Sequence, residues 1–402
     1  MSLVSMGVFH EYIVRNLTPD QMEKERAKAL REIGRLLNCE VFTYAARISP
    51  VLAPVRLPVS VLPEDILPFI DLIEGLSGDR IAVILETPGG SGEVGRDMVE
   101  ILHEKFGHVM FIVPGMAKST GTIMVLGGHE FFMGPGSALG PIDAQLQQDG
   151  KTYSADALIE GLNRIKEEVE KTGKLNSAYI PVLQRLSPGE IEHAHNALEF
   201  ARATVTDWLI RYKFGKWETR ETSGEQVTQD YKESRARDIA EKLASQSLWH
   251  THGRSLRISD LRKLGLKVND YSSDSNLNDA IQRYYVLLRM TFDAQNMFKI
   301  FETPDARVVR RFDLQGVAPK AQDKRNQSDL SKASNVKINV NCKCGSNYSL
   351  QVNLEENQLL QENSIAFPRN KVFSCPNCGT QHNLESLLSD IEKQAGRSAI
   401  FN

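Results

Sequence analysis

The sequence has no apolar run approaching the ~18 to 20 residues of a membrane-spanning helix. Its opening, MSLVSMGVFHEYIVRN, also lacks the charged and apolar regions of a secretory signal. These absences predict a cytoplasmic protein with no membrane span. Neither charge sign dominates: 48 Lys plus Arg face 51 Asp plus Glu, for a net charge of −3. No global basic field therefore gathers nucleic acid or anionic lipid, although a local patch is compatible with these totals. The chain has no G-x-x-x-x-G-K-[ST] loop, the phosphate-cradling signature of P-loop nucleotide hydrolysis. Cysteine is scarce and uneven. Cys39 stands alone, while Cys342, Cys344, Cys375 and Cys378 crowd near the end, a pattern of metal binding rather than of a disulfide framework. What is present is ordinary globular material: 402 residues, 41% hydrophobic and 25% charged, enough for a large core and roughly two to three domains. Collagen-like, mucin-like and wholly disordered chains are excluded.

Thr18 is placed to cap a helix with Pro19 at its first position, and Met22, Leu30, Ile33 and Leu37 then share one face up to Asn38. Val41 to Ile48 has strand composition, and Pro63 to Leu76 reads as a helix with Ile66, Phe69, Ile70 and Ile73 inward despite Pro68. From Asp79 to Met133 the pattern alternates. Strand Ile81 to Leu85, a Gly-rich turn, helix Gly92 to Phe106, strand Val109 to Val113, a second turn, a short helix from Ser119 and strand Phe131 to Met133 make a parallel α/β unit. Turns at the carboxyl ends of such strands are where open α/β sheets carry their sites. Ser154 to Lys171, Pro188 to Phe214, Tyr231 to Ser245 and Asn276 to Phe301 read as helices, with a polar insertion around Glu218 to Asp230. Residues 303–335 are polar, aromatic-poor and broken by proline, so they read as a linker. The expected division is an N-terminal helical segment 1–40, a main domain 41–302, the linker 303–335 and a cysteine module 336–402.

Two turns carry the chemistry. Thr87-Pro88-Gly89-Gly90 ends one strand, and Ala117-Lys118-Ser119-Thr120-Gly121-Thr122 ends the next and opens a helix. Glycines let backbone N–H groups approach a ligand, and a serine at a helix start has its hydroxyl beside further unpaired N–H groups. Together they suit an oxyanion hole next to a nucleophile. The same residues would also serve as tight-turn glycines and a helix cap, and spacing alone does not choose.

LETPGG, then MAKSTGTIMVLGGHEFFMG, then SALGPIDAQL, in this order and separation, resemble the Clp-class serine peptidases of the crotonase-like superfamily. The likeness is greatest to the serine dehydrogenase proteinase family, relatives of signal peptide peptidase A, and covers roughly residues 40–270. It implies a ClpP/crotonase-like spiral of ββα units, a homo-oligomer, and a serine nucleophile cutting a protein or peptide substrate. Ser119 falls on the nucleophile of the family's small-x-Ser-x-Gly motif, and the N–H groups of Gly90, Gly89 and Thr120 fall on the oxyanion hole. Ala or Met is usual after the family's serine, so Thr120 alters the pocket wall here. Lys118, adjacent to Ser119, is expected to diverge from it toward the surface or the substrate.

Superfamily members differ in their base, some using His with Asp and others a lysine. Where Clp peptidases place their histidine, this chain has Pro141-Ile142-Asp143. Where they place their aspartate, ahead of a Gly-Leu-Val element matched by Gly265-Leu266-Lys267-Val268, it has Trp249-His250-Thr251-His252. The resemblance thus implies a triad with exchanged positions: Ser119 as nucleophile, His252 as base and Asp143 orienting the imidazole. His250 is the alternative if the register shifts. The rival is a Ser-Lys dyad using Lys166, Lys171 or Lys174, although KEEVEKTGK looks like a solvated helix face and a basic lysine must be buried. His103, His108, His129, His193 and His195 have no motif support.

Cys342-Lys343-Cys344-Gly345 and Cys375-Pro376-Asn377-Cys378-Gly379 flank a strand-like segment, Tyr348 to Leu354. Four thiolates in C-x-C and C-x₂-C turns suit tetrahedral zinc in a zinc ribbon. With no ligand position left for water the ion would be structural. Lys332, Lys337, Lys343, Arg369 and Lys371 give a mild basic bias beside Tyr348 and Phe373, too little to establish nucleic-acid binding. The module is expected to recruit substrate or a partner protein, with nucleic acid the other kind of partner such modules take. The functional expectation is an ATP-independent serine endopeptidase. The alternatives are a catalytically silent or latent oligomeric scaffold and a crotonase-type acyl-CoA enzyme, which a serine-reactive fluorophosphonate would separate from it.

Overall fold

The computed structural model describes residues 7–48, 57–148, 151–220, 224–312, 333–342, 344, 346–361 and 364–401. It divides into two compact units, Met1–Leu314 and Gln315–Asn402.

The first unit is built on a seven-stranded sheet. The strands Glu40–Ala46, Arg80–Glu86, His108–Val113, Glu130–Met133 and Asn269–Asp270 run parallel in that order, and Met297–Glu302 and Arg307–Arg311 extend the first edge antiparallel. RIAVILE and HVMFIV are nearly continuous apolar runs because these central strands are buried on both faces. One face carries Phe42, Val83 and Phe111, covered by helices Ile66–Glu74, Gly92–Lys105, Thr120–Leu126, Pro188–Trp208 and Gln229–Ala244. The other carries Ala45, Ile84 and Ile112, covered by helices Pro19–Leu37 and Ser275–Ala294 through Leu30, Ile33, Ile281 and Tyr284. Helix Pro19–Leu37 starts at Thr18 with a full capping box to Gln21. Pro68 sits in the first turn of helix Ile66–Glu74, where its missing N–H is one the helix could not have paired.

Three expectations about element boundaries are corrected. The helix read through Phe301 stops at Ala294, and Met297–Glu302 is a fully buried strand whose MFKIFE composition suits a sheet flanked on both sides. The linker read from 303 starts later, because Arg307–Arg311 pairs with Met297–Glu302; its RVVRR sequence reads as polar, yet an edge strand is held by backbone hydrogen bonds. Of the expected linker, residues 313–332 lie outside the described residues. The N-terminal helices are part of the first unit: buried Arg26 donates to both carboxylate oxygens of Glu302 at 2.9 and 3.1 Å and to Thr291 Oγ1 at 2.6 Å.

The second unit pairs Asn335–Asn341 antiparallel with Asn347–Asn353, and forms a short hairpin from Val372–Ser374 and Gln381–Asn383. Helix Glu385–Ala395 closes a small core of Ile338, Leu350, Val352, Phe367, Phe373 and Leu388. No helix among the described residues is long and apolar enough to cross a membrane.

Candidate active site and cysteine centre

Strand Arg80–Glu86 delivers Thr87 to Gly90 at its carboxyl end, and the positive φ angles of Gly89 (104°) and Gly90 (154°) explain the pair of glycines. The turn is held on one side by Val61, whose N–H donates to Gly89 O at 2.8 Å and whose carbonyl accepts from Ser91 N at 2.9 Å. A Cβ on Gly90 would strike the Val61 backbone, and one on Gly89 would lie 2.8 Å from Ser119 Cβ. The two turns are therefore in contact at Ser119.

Ser119 has φ 50° and ψ −117°, a strained conformation for a residue with a side chain. It precedes helix Thr120–Leu126 without capping it, so the hydroxyl is left for other work. Thr120 Oγ1 donates to Gly90 O at 2.7 Å, which ties the two turns together and leaves the Gly90 and Thr120 N–H groups with no acceptor among the described residues.

His252 and Asp143, 109 residues apart, meet: His252 Nδ1 lies 2.7 Å from Asp143 Oδ1. Asp143 is 1% exposed and its second oxygen accepts from Gln145 Nε2 at 2.9 Å. His252 is partly exposed. The segment that carries Asp143 is fixed to the nucleophile turn. Thr122 Oγ1 donates to Gly140 O at 3.0 Å and lies 2.9 Å from Gly140 N, and Ile142 N donates to Leu243 O at 2.9 Å. The histidine loop is tied to the same segment, since Leu139 and Leu256 exchange two backbone bonds of 3.0 Å.

Lys118, expected to face the surface or the substrate, is half-buried. Its Nζ turns inward and donates to Leu139 O, Arg254 O and Ser255 Oγ at 3.0, 2.7 and 3.1 Å, pinning the histidine loop against the nucleophile turn. Burial, with the nearby Arg257 charge, pulls its pKa down to about 8. The other candidates lie elsewhere. Lys166 and Lys171 pair with Glu170 and Glu167 on the exposed face of helix Ala155–Thr172, and Lys174 is exposed just beyond it. His250 ends helix Gln246–Trp249 in a left-handed conformation and is exposed. His193 and His195 are exposed on helix Pro188–Trp208. His103, His108 and His129 cluster around Tyr212 at the opposite, amino-terminal end of the strands. Gln145 and the inward turn of Lys118 were not read from the sequence, because a lone Gln and a lone Lys carry no spacing signal.

In the second unit the four cysteines converge. Cys342 Sγ is 3.4 Å from Cys378 Sγ, Cys344 Sγ is 3.7 Å from Cys375 Sγ, and all four sulfurs lie within 4.8 Å of one another. A tetrahedron with metal–sulfur bonds of ~2.3 Å has sulfur–sulfur edges of about 3.8 Å, so the arrangement fits a thiolate-bound metal. Gly379 follows with φ 72°, and Asn377 Nδ2 lies 3.6 Å from Cys344 Sγ. Lys343 and Gly345 lie outside the described residues.

The parallel α/β unit, with a strained serine on the second of two glycine-bearing turns, has a ClpP-like architecture. The family model described as a ClpP-like SDH-type serine proteinase matches residues 3–175, a segment that holds Gly89, Gly90, Ser119, Thr120 and Asp143. His252 lies beyond the matched segment. The chain is 28% identical over 189 residues to the uncharacterized protein MJ1495 of Methanocaldococcus jannaschii, covering 47% of this chain and 52% of that protein. It is 23% identical over 251 residues to MJ0137 of the same organism, covering 62% and 75%. The chain thus spans about half the length of MJ1495. Among solved structures, a mutant of the 1510-N membrane-bound stomatin-specific protease aligns over 35% of this chain and 64% of its own, at 23% identity and a TM-score of 0.22. A second mutant, in complex with a substrate peptide, aligns over 34% and 57% at 25% identity and a TM-score of 0.21. At these scores the superpositions add nothing to the fold described above.

Proposed function

We propose that this chain is an ATP-independent serine endopeptidase in which Ser119 is the nucleophile, His252 the base and Asp143 the residue that orients the base. The observation that carries the reading is the 2.7 Å contact between His252 Nδ1 and the buried Asp143 carboxylate, on a loop tied to the nucleophile turn. A proton on Nδ1 donated to Asp143 leaves Nε2 as the acceptor for the Ser119 hydroxyl. Attack on a peptide carbonyl would place negative charge on its oxygen, for which the unpaired N–H groups of Gly90 and Thr120 are the donors at hand, with Gly89 shaping the turn. The histidine would then return its proton to the leaving amine. The exposed, ion-paired Lys166 and Lys171 and the exposed Lys174 do not meet what a neutral lysine base requires, which is burial away from carboxylates.

The cysteine centre is read as a structural zinc site, since four thiolates leave no position for water. Cysteines kept as metal ligands fit a reducing, cytoplasmic setting. The second unit recruits substrate or a partner protein in this reading, and the first unit works as a homo-oligomer. Fluorophosphonate labelling read by intact mass tests the chemistry. Wild type is expected to gain one adduct, Ser119→Ala none, and His252→Ala and Asp143→Asn to label far more slowly while remaining folded. Undiminished labelling of His252→Ala alongside its loss in Lys174→Ala would replace the triad by a dyad, and no labelling of wild type would favour a silent or latent scaffold.

A further inference from the structure

Gly90 presents two groups to the nucleophile turn, and only one of them suits an oxyanion. Val61 pairs with the glycine turn through Gly89 O and Ser91 N, so the N–H and the carbonyl of Gly90 itself lie on the opposite edge, the edge that meets the nucleophile turn. The Gly90 N–H has no acceptor among the described residues, whereas its carbonyl accepts from Thr120 Oγ1 at 2.7 Å. Negative charge gathered beside that N–H would also stand near the carbonyl oxygen, which repels it. A hydroxyl donating to the carbonyl offsets the repulsion and keeps the peptide from turning its oxygen into the site. Such a rotation would otherwise meet little resistance, because neither Gly89 nor Gly90 has a side chain to oppose it.

The orientation of Thr120 is itself built in. Expected to alter the pocket wall, Thr120 is 2% exposed, with its hydroxyl toward Gly90 and its methyl toward helix Gly92–Lys105. The methyl lies over Gly95, inside that helix, where a Cβ would collide with Thr120 Cγ2. Glycine weakens a helix interior relative to alanine, so its place under this methyl is explained by the fit. A β-branched side chain has few χ1 choices, and seating the methyl on Gly95 sends the hydroxyl to Gly90. We propose that the Thr120 side chain is a positioning residue of the oxyanion hole. Its hydroxyl holds the Gly90 peptide against rotation and screens the carbonyl oxygen from the charge that develops at the Gly90 and Thr120 N–H groups. The inference rests on the peptidase reading given above and adds to it a contact that the family's usual Ala or Met could not make.

The test is the kinetics of fluorophosphonate labelling, in which negative charge builds on the phosphoryl oxygen as Ser119 attacks and fluoride leaves. Full-length wild type, Thr120→Ala and Thr120→Ser are compared over a range of reagent concentrations. In Thr120→Ala the maximal labelling rate is expected to fall about tenfold, the size of one hydrogen bond, with the half-saturating concentration unchanged within about twofold. Thr120→Ser keeps the hydroxyl and is expected to recover to within about threefold of wild type. An undiminished maximal rate in folded Thr120→Ala, or an equal loss in Thr120→Ser, would overturn the proposal and leave the peptidase reading standing. No labelling of wild type would sink the peptidase reading and the proposal with it. If Thr120→Ala does not fold by circular dichroism, Gly95→Ala is compared with Gly95→Ala/Thr120→Ser, in which no methyl is left to collide. A rate that falls in the first and recovers in the second supports the role of the hydroxyl, and equal rates in the two overturn it.

Discussion

At Ser119 the local backbone and the chemistry are the same problem. A serine at φ 50° is unfavourable by a few kcal/mol at most, and is tolerated because the surrounding turns hold it. Gly89 is the contact that leaves room for it, so Gly89→Ala should both strain a φ of 104° and displace Ser119. We expect labelling of Ser119 to fall about 10²-fold or more, the size of losing one oxyanion donor, with the melting transition shifted only slightly. Lys118 acts on the neighbouring residue. Its three bonds fix the loop bearing His252, and Lys118→Met should slow labelling by loosening that loop while leaving the sheet intact. Unchanged labelling kinetics in Lys118→Met would show that the loop is held without it. The glycines and the serine were legible as turn residues from their types alone, and as an oxyanion hole and nucleophile only through the order and separation of the LETPGG and MAKSTG motifs, because turn glycines and serine caps are common. The partnership of Asp143 with Gln145 was not, because it depends on where a backbone turn points two side chains.

Elements are joined by polar contacts that no periodicity announces. Arg26 of helix Pro19–Leu37 is fully buried against Glu302 of strand Met297–Glu302, and breaking such a pair from one side leaves a buried charge. Arg26→Ala is expected to lower unfolding free energy by about 3 to 5 kcal/mol in denaturant titration. A loss under about 1 kcal/mol would mean that the N-terminal helix is held by its apolar face alone, through Leu30 and Ile33. A second case has a pH signature. Lys213, in the turn following helix Pro188–Trp208, donates to Gly128 O at 2.9 Å and lies over the Phe131 ring, and burial pulls its pKa down to about 7. The unfolded chain holds that proton up to about pH 10, so between these values it binds more protons than the folded protein. Stability relative to Lys213→Met should therefore rise from pH 7 toward pH 10; parallel profiles for the two proteins would refute the assignment. Helices were legible where an apolar stripe and a cap coincided, as at Thr18, and boundaries failed where strands and helices are both apolar, as at Met297–Glu302.

For the whole molecule the two units make separate predictions. The cysteine unit has its own small core, but four thiolates held within 4.8 Å of one another repel without an ion between them. Chelation should release one metal ion per chain and abolish the amide-resonance dispersion of residues 335–400, while the resonances of the first unit persist. Collapse of both sets of resonances together would contradict the division into units.

What the sequence determined by itself is the set of parts with a local signature. Apolar runs made the parallel strands, glycine and serine at strand ends marked the two turns, and the C-x-C and C-x₂-C pairs marked the cysteine centre, because each depends on residues close along the chain. What only the tertiary structure decided is which distant parts meet: His252 with Asp143 across 109 residues, Lys118 with the 254–255 turn, Arg26 with Glu302, and Thr120 with Gly90. Those pairings follow from the order of strands in the sheet and from the faces its helices cover, and neither is written in any short stretch of the chain.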